Sequence, residues 1–287
     1  MTVTIPAWFT WALEQPMTMH HVDSDGIKIN YRAWGEPNNP LIVLVHGGAA
    51  NSSWWDHIGP HLADHHRVVA IDLAGHGDSD RQDEYSLESW AHQVRAVADA
   101  ESTDKPIIVG HSMGGFVALT AAREFGEALH GVAVIDSPVQ QMSAETREWA
   151  ENKLRNRTEK RHQEREELVG RFATIPAGEG QLDFIEHNIA GQSVKEFEDG
   201  WGWKFDQKIF LKSNMSPDQV AEATCEVALI RGEKGMATLD ITSDVLNRLG
   251  RRAPVTLMLD AGHHIMLDQP VALIAVLQTL AGQWRNR

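Results

Sequence analysis

Apolar residues in this chain follow two rhythms. Unbroken runs at residues 41–45 (Leu-Ile-Val-Leu-Val), 67–73, 106–109 and 131–136 have the pattern of strands buried on both faces. Between them, residues 54–65, 86–100 and 113–125 have the length and spacing of helices. Asp25-Gly26 is a turn signal between residues 18–22 and 27–33, which predicts an opening hairpin. Further along, residues 226–231 and 255–259 read as strands, and 239–249 and 271–284 as helices. This alternation predicts an α/β fold: a mostly parallel, eight-stranded sheet with helices on both faces.

The rhythm breaks between residue 137 and about residue 222. Residues 144–167 alternate charges densely, as a solvated helix does. Residues 182–189 and the tryptophan cluster Gly200-Trp201-Gly202-Trp203-Lys204-Phe205 follow. The expected division is a core of residues 1–137 and 223–287 with a helical cap of residues 138–222 inserted into it. An insertion at the C-terminal ends of the strands would roof the region where such sheets bind ligands.

Composition narrows the classes of partner. The 287 residues hold 40 Asp and Glu against 26 Lys and Arg, a formal net charge of −14. That balance argues against binding to nucleic acid or to anionic membranes. Cys225 is the single cysteine, so an intrachain disulfide cannot form. The aromatic N-terminal stretch with Trp8, Phe9 and Trp11 lacks the basic and continuous apolar regions of a signal peptide. It is expected to pack on the domain or cover a pocket mouth. No segment has the length of a membrane span, so the protein is expected to be soluble and cytoplasmic, without integral membrane association. A homodimer is compatible with the sequence.

The apolar run 106–109 leads straight into Gly110-His111-Ser112-Met113-Gly114 and then a helical stretch. Strand, sharp turn and helix with a serine at the apex form a G-x-S-x-G nucleophile elbow. The strained turn would push Ser112 Oγ above the sheet, and the Met113 amide would sit at a helix N-terminus that favours an anion. His46-Gly47-Gly48-Ala49 follows the run 41–45. Its Gly48 amide (Ala49 as second choice) would complete an oxyanion hole with the amide of Met113.

Ser112 needs a base that titrates near neutrality, and imidazole does. His263 and His264 follow the last predicted strand, and adjacent side chains point apart, so only one of them can serve Ser112; His263 is favoured. Asp136 closes the run 131–135 at the active edge of the sheet. Trp54, Trp201 and Trp203 are candidates for lining a pocket, with core packing as the alternative. The His and Asp residues between Asp72 and Asp80 match no common metal-ligand spacing, and phosphate-loop and dinucleotide fingerprints are absent from the sequence. No metal and no organic cofactor is implied.

Together these residues resemble the α/β-hydrolase superfamily. The resemblance runs from about residue 20 to 285 through His46-Gly47-Gly48, Gly75-His76-Gly77-Asp78-Ser79, the elbow and Ala261-Gly262-His263. It points to the capped branch of small-molecule esterases, epoxide hydrolases, cofactor-free haloperoxidases and C–C bond hydrolases. A serine nucleophile departs from the aspartate of epoxide hydrolases and favours carbonyl chemistry. The resemblance puts the acid that orients the histidine in the loop after strand 226–231, where Glu233 and Asp240 are candidates, whereas several members place it where Asp136 stands. Asp136 is favoured, and all three stay open at this point.

The expected activity is a Ser112-His263-Asp136 serine hydrolase acting on a small or medium carboxylic ester, thioester or lactone through an acyl-enzyme. The alternatives are a C–C bond hydrolase or cofactor-free ring-cleaving dioxygenase on the same fold, or a ligand-binding protein that kept it.

Overall fold

The computed structural model describes residues 5–141, 143–145, 148, 152, 159–178, 180–211 and 214–285. Ten strands occur among them: β1 (Thr18–Ser24), β2 (Ile27–Trp34), β3 (Leu41–Val45), β4 (Arg67–Ile71), β5 (Ile107–His111), β6 (Gly131–Ile135), β7 (Val194–Phe197), β8 (Gly200–Trp203), β9 (Glu226–Gly232) and β10 (Val255–Met258). Eight of them form one sheet in the order β1-β2-β4-β3-β5-β6-β9-β10. The pairings β1–β2 and β2–β4 are antiparallel and the rest are parallel. The eight-stranded sheet is the one the apolar runs predict.

Every residue of β3, β4, β5 and β6 is buried because helices cover both faces. Successive side chains go to opposite sides. Val43 and Val45 join one apolar cluster with helices α3 (Leu87–Glu101) and α4 (Met113–Phe125). Ile42 and Leu44 join the other, with α1 (Ala7–Glu14), α2 (Gly59–Leu62), α8 (Ile265–Asp268) and α9 (Pro270–Arg285). The remaining helices are α5 (Arg165–Val169), α6 (Asp183–Gln192) and α7 (Leu239–Arg248). Among the described residues, no helix is long and apolar enough to cross a membrane.

Three expectations change. The helix expected over 54–65 is a 3-10 turn (Ser52–Trp55) and the four-residue α2, because Pro60 cannot donate within a helix that started earlier. The strand expected over 67–73 ends at Ile71, and the Leu73 amide turns to donate to His46 Nε2 (3.2 Å). The segment leading from β6 to β9 is not wholly helical. Trp201 and Trp203 lie on β8, which pairs antiparallel with β7. The turn between them closes at Gly200 with φ 127°, a conformation favouring glycine, and the Gly-Trp-Gly-Trp run has low helix propensity. Of the charged stretch expected as a helix over 144–167, residues 146, 147, 149–151 and 153–158 lie outside the described residues, and its end forms the start of α5.

The N-terminal α1 packs against both α6 and the turn that leads into α2. Phe9 meets Phe184 of α6 edge-to-face at 4.9 Å between ring centroids, and His57 of the core at 6.0 Å.

Candidate active site

The ends of β3, β5 and β6 and the loops after β9 and β10 converge at one edge of the sheet. Ser112 stands between β5 and α4 with φ 53° and ψ −116°. This strained geometry costs a non-glycine residue about 1–3 kcal/mol. It is held by the Ser112 N–H, which donates to the Ile135 carbonyl at 2.9 Å. A Cβ at Gly110 would collide with the Gly114 backbone, and one at Gly114 with the Val45 backbone, so the strand, turn and helix close up only with glycine at both places.

His263 Nε2 lies 3.0 Å from Ser112 Oγ, and its Nδ1 lies 2.7 Å from Asp136 Oδ2. The tautomer that satisfies both puts the proton on Nδ1, donating to the carboxylate, and leaves Nε2 to accept from the serine hydroxyl. Asp136 is completely buried. Its Oδ1 accepts from the Gly232 amide (3.0 Å) and its Oδ2 from the Met236 amide (2.7 Å). The loop after β9 therefore supplies the socket for a carboxylate carried by β6. Gly235 belongs to that socket, since a Cβ there would collide with the Asp136 carboxylate.

Glu233 and Asp240 are not brought to His263. Glu233 is exposed, and its Oε2 accepts from the Asp260 amide at 3.0 Å, tying two surface loops. Asp240 is exposed in the first turn of α7, where a negative charge complements the helix dipole. His264 turns away from Ser112, and its Nε2–H donates to the Pro176 carbonyl at 3.2 Å. Burial, and then the neighbouring His263, pull its pKa down to about 3.

Beside the elbow runs the loop after β3. A methyl group at Gly48 would touch Met113 Sδ and Phe210 Cε1, both at 3.8 Å. His46 braces this loop: its Nδ1–H donates to the Gly47 carbonyl (2.7 Å), and its Nε2 accepts from Leu73. Burial holds the His46 pKa below the ordinary imidazole range, consistent with a neutral ring in that role.

Of the three tryptophans, Trp54 and Trp203 share one aromatic row. His264, Trp54, Phe172 and Trp203 follow one another with ring centroids 5.5, 6.2 and 6.1 Å apart. Trp201 does not join it and instead lies 6.0 Å from the Arg165 guanidinium.

Three contributors escape a linear reading. His111 donates from Nε2 to the His263 carbonyl (2.9 Å), and Asp268 Oδ2 accepts from the Gly262 amide (2.7 Å), so both hold the histidine loop. Phe210 reaches the Gly48 loop from the insertion. His111 lies inside the elbow motif, yet its partner is 152 positions away; Asp268 and Phe210 carry no local signal.

The rings of His111, His263 and His264 form the one group of possible metal ligands found among the described residues, their nitrogens spread over up to 4.8 Å. Two nitrogens on one tetrahedral zinc stand about 3.4 Å apart, given Zn–N bonds of about 2.0–2.1 Å. His263 already spends both ring nitrogens, Nδ1 on Asp136 and Nε2 on Ser112, and has neither left for an ion. The trio fits a packed imidazole cluster better than a metal centre.

Known proteins share this arrangement of chain. A family model described as the alpha/beta hydrolase family matches residues 42–276. Mouse epoxide hydrolase 4 is 31% identical over 120 residues, covering 41% of this chain and 33% of the relative. The chain spans about a third of the length of the curated relatives it matches at 31–32% identity. An esterase of Mycobacterium tuberculosis is 24% identical over 261 residues, covering 85% of this chain and 83% of the esterase. Among solved structures, the thioesterase domain from the curacin biosynthetic pathway superposes with a TM-score of 0.78 at 19% identity, over 91% of this chain and 99% of that domain.

Proposed function

Because the chain belongs to the alpha/beta hydrolase family, we propose that it is a serine hydrolase cleaving a small or medium carboxylic ester, thioester or lactone. One observation carries this reading: His263 bridges a strained, partly accessible Ser112 and a wholly buried Asp136 at 3.0 and 2.7 Å.

Ser112 Oγ attacks the substrate carbonyl as His263 Nε2 takes its proton. Asp136 holds the Nδ1–H and stabilises the imidazolium that forms. The carbonyl oxygen becomes an oxyanion facing the amides of Gly48 and Met113, each such donor contributing about 3–4 kcal/mol to the transition state. His263 then gives its proton to the departing alkoxide or thiolate, leaving Ser112 acylated. Water repeats the sequence: His263 removes its proton, the acyl–serine bond breaks, and Ser112 regains its hydrogen.

The side chains around this chemistry, Met113, Phe210, Trp54 and Phe172, are apolar, which favours a substrate with uncharged apolar groups flanking its carbonyl. Ser112 stands where an epoxide hydrolase needs a carboxylate, so the likeness to mouse epoxide hydrolase 4 supports the fold rather than that reaction.

Intact mass after treatment with a fluorophosphonate tests the reading. The wild type is expected to gain a single adduct, Ser112→Ala none, and His263→Ala and Asp136→Asn to label far more slowly. A folded wild type that gains no adduct overturns it and returns carbanion chemistry, or a binding role, to first place.

A further inference from the structure

The loop after β3 holds an alanine where glycine is the ordinary choice. The Ala50 amide donates to the Gly47 carbonyl at 3.3 Å, closing a turn over Gly48 and Ala49. Ala49 has φ 61°, and Gly48 is not among the glycines with positive φ. A left-handed residue at the third position alone marks a type II turn, which favours glycine there. An alanine left to itself would relax toward a type I turn, and the peptide joining Gly48 to Ala49 would roll over. That roll exchanges the directions of the Gly48 carbonyl and the Ala49 N–H, and so changes the charge presented beside the oxyanion. Among the described residues, neither the Gly48 nor the Ala49 amide donates a hydrogen bond.

Backbone strain of this kind persists only where the surroundings over-determine it. At the entry to the turn, His46 braces Gly47. At its exit stands Asn51, whose Oδ1 accepts from both the backbone N–H and the hydroxyl of Ser53. Two donors on one atom fix the amide, so Nδ2 is the end that donates to Ser193 Oγ, at 3.3 Å. Just beyond, the Ser52 amide on Asp72 Oδ1 (2.7 Å) returns the chain to the core.

Ser193 belongs to the segment between β6 and β9, at the junction of α6 and β7. Its Oγ donates to the Ile189 carbonyl (2.8 Å), and its own carbonyl accepts from the Lys204 amide (2.9 Å). Asn51, Ser53 and Ser193 are all buried, so water does not compete for these bonds. The same segment brings Phe210 against the other side of the turn, beside Gly48.

We propose that Asn51 is a positioning residue. Through its bond to Ser193, the segment between β6 and β9 holds Ala49 in its left-handed conformation and keeps the turn in the form that presents the Gly48 amide to the oxyanion. The inference rests on the serine-hydrolase reading and adds to it that the oxyanion loop is set in part from outside the sheet.

Kinetics with p-nitrophenyl butyrate and its thionoester, in which C=S replaces the carbonyl, test this. Sulfur is a weak hydrogen-bond acceptor, so a working oxyanion hole favours the ester, whereas a general loss of structure lowers both substrates alike. Ser193→Ala removes the partner of Asn51 and leaves the loop sequence intact. On protein shown by circular dichroism to be folded, kcat for the ester should fall about tenfold, the size of one hydrogen bond, with KM changed by about twofold or less. The thionoester should lose far less, so the ratio of the two rates falls. Adding Ala49→Gly should restore most of that ratio, because glycine holds a positive φ without strain. In an Asn51→Ala background, Ser193→Ala should cost nothing further.

Equal falls for both substrates, or a ratio that Ala49→Gly does not restore, overturn the proposal, as does an unchanged kcat in Ser193→Ala. The two readings fail separately. A folded wild type that gains no fluorophosphonate adduct removes the serine hydrolase and this role of Asn51 with it. A wild type that labels on Ser112 but keeps its ester preference in Ser193→Ala removes only the role of Asn51.

Discussion

The corner of the sheet that holds Ser112, His263 and Asp136 and the insertion that reaches over it are held together by different forces. In the corner, Asp136 is gripped by two backbone amides and an imidazole, and His263 by a carboxylate and a loop that His111 and Asp268 pin. The side chains of His111, Asp136 and His263 are all buried, and β5 and β6 behind them have apolar cover on both faces. Among the described residues, the named helices and strands between β6 and β9 are four to ten residues long. That segment is laced by surface ion pairs such as Arg81–Glu159, Arg161–Asp199 and Arg171–Glu167. Exposed pairs contribute about 0–1 kcal/mol each. The segment places Phe210 beside Gly48 and the Pro176 carbonyl on His264, and its backbone is tied to the core by the Leu182 amide on the Leu267 carbonyl (3.1 Å) and the Gly77 amide on the Lys204 carbonyl (2.7 Å). The corner is thus held by hydrogen bonds to a buried carboxylate, and the segment between β6 and β9 by surface ion pairs together with the buried Ile185, Ile189, Ile209 and Met215, which join the two apolar clusters.

The contrast is broken most severely at Asp136. Asp136→Asn keeps the shape of the socket but presents an amide where His263 Nδ1–H needs an acceptor, so turnover of a reactive ester should fall about 10⁴-fold, with binding little changed. Steady-state kinetics on protein shown to be folded measures this, and a loss below tenfold would mean that Asp136 only props up the loop.

Acid should loosen the corner before the insertion. Burial pulls His57 down to about 4, and its Nε2–H donates to the Met266 carbonyl, directly below the His263 loop. The unfolded chain therefore takes up the proton near pH 6.5 and the folded chain only near pH 4, so stability is full above the unfolded value and drains away as pH falls between the two. From pH 7 to pH 5 the His57 share of the loss is about 2 kcal/mol. Urea unfolding at the two pH values should show it, and His57→Gln should remove that part of the slope; an unchanged slope would assign the acid sensitivity elsewhere.

On the serine-hydrolase reading, finer discrimination between substrates is expected from the segment between β6 and β9. Phe172 links Trp54 of the core to Trp203 of β8. Removing its ring in Phe172→Ala should raise KM for a bulky apolar ester by about tenfold or less, the equivalent of one aromatic contact. Fluorophosphonate labelling of Ser112 should stay near the wild-type rate. Equal losses in both assays would make the insertion part of the catalytic frame and erase the contrast.

The two regions were also unequally legible in the linear chain. Runs such as Leu41–Val45 can only be strands buried on both sides, and the glycines around Ser112 mark a turn that no larger residue permits. Asp136 could be placed at the reactive edge because it ends such a run. What the chain concealed was why Asp136 has the proton of His263 for a partner: the loop 232–236 contributes amides and a glycine, features without a side-chain signature. In the insertion the periodicity was weaker. Trp54, Trp201 and Trp203 read alike as pocket candidates, but Trp201 faces an arginine of α5 while Trp54 and Trp203 both meet Phe172.

Local sterics and the burial of apolar runs act between neighbours in sequence, so strands, helices, the elbow and the sites of Ser112 and His263 follow from residue order. Which carboxylate met the imidazole and which tryptophan met the aromatic row depended on contacts between residues up to 210 positions apart. Those contacts arise from packing and strand order, and no local pattern encodes them.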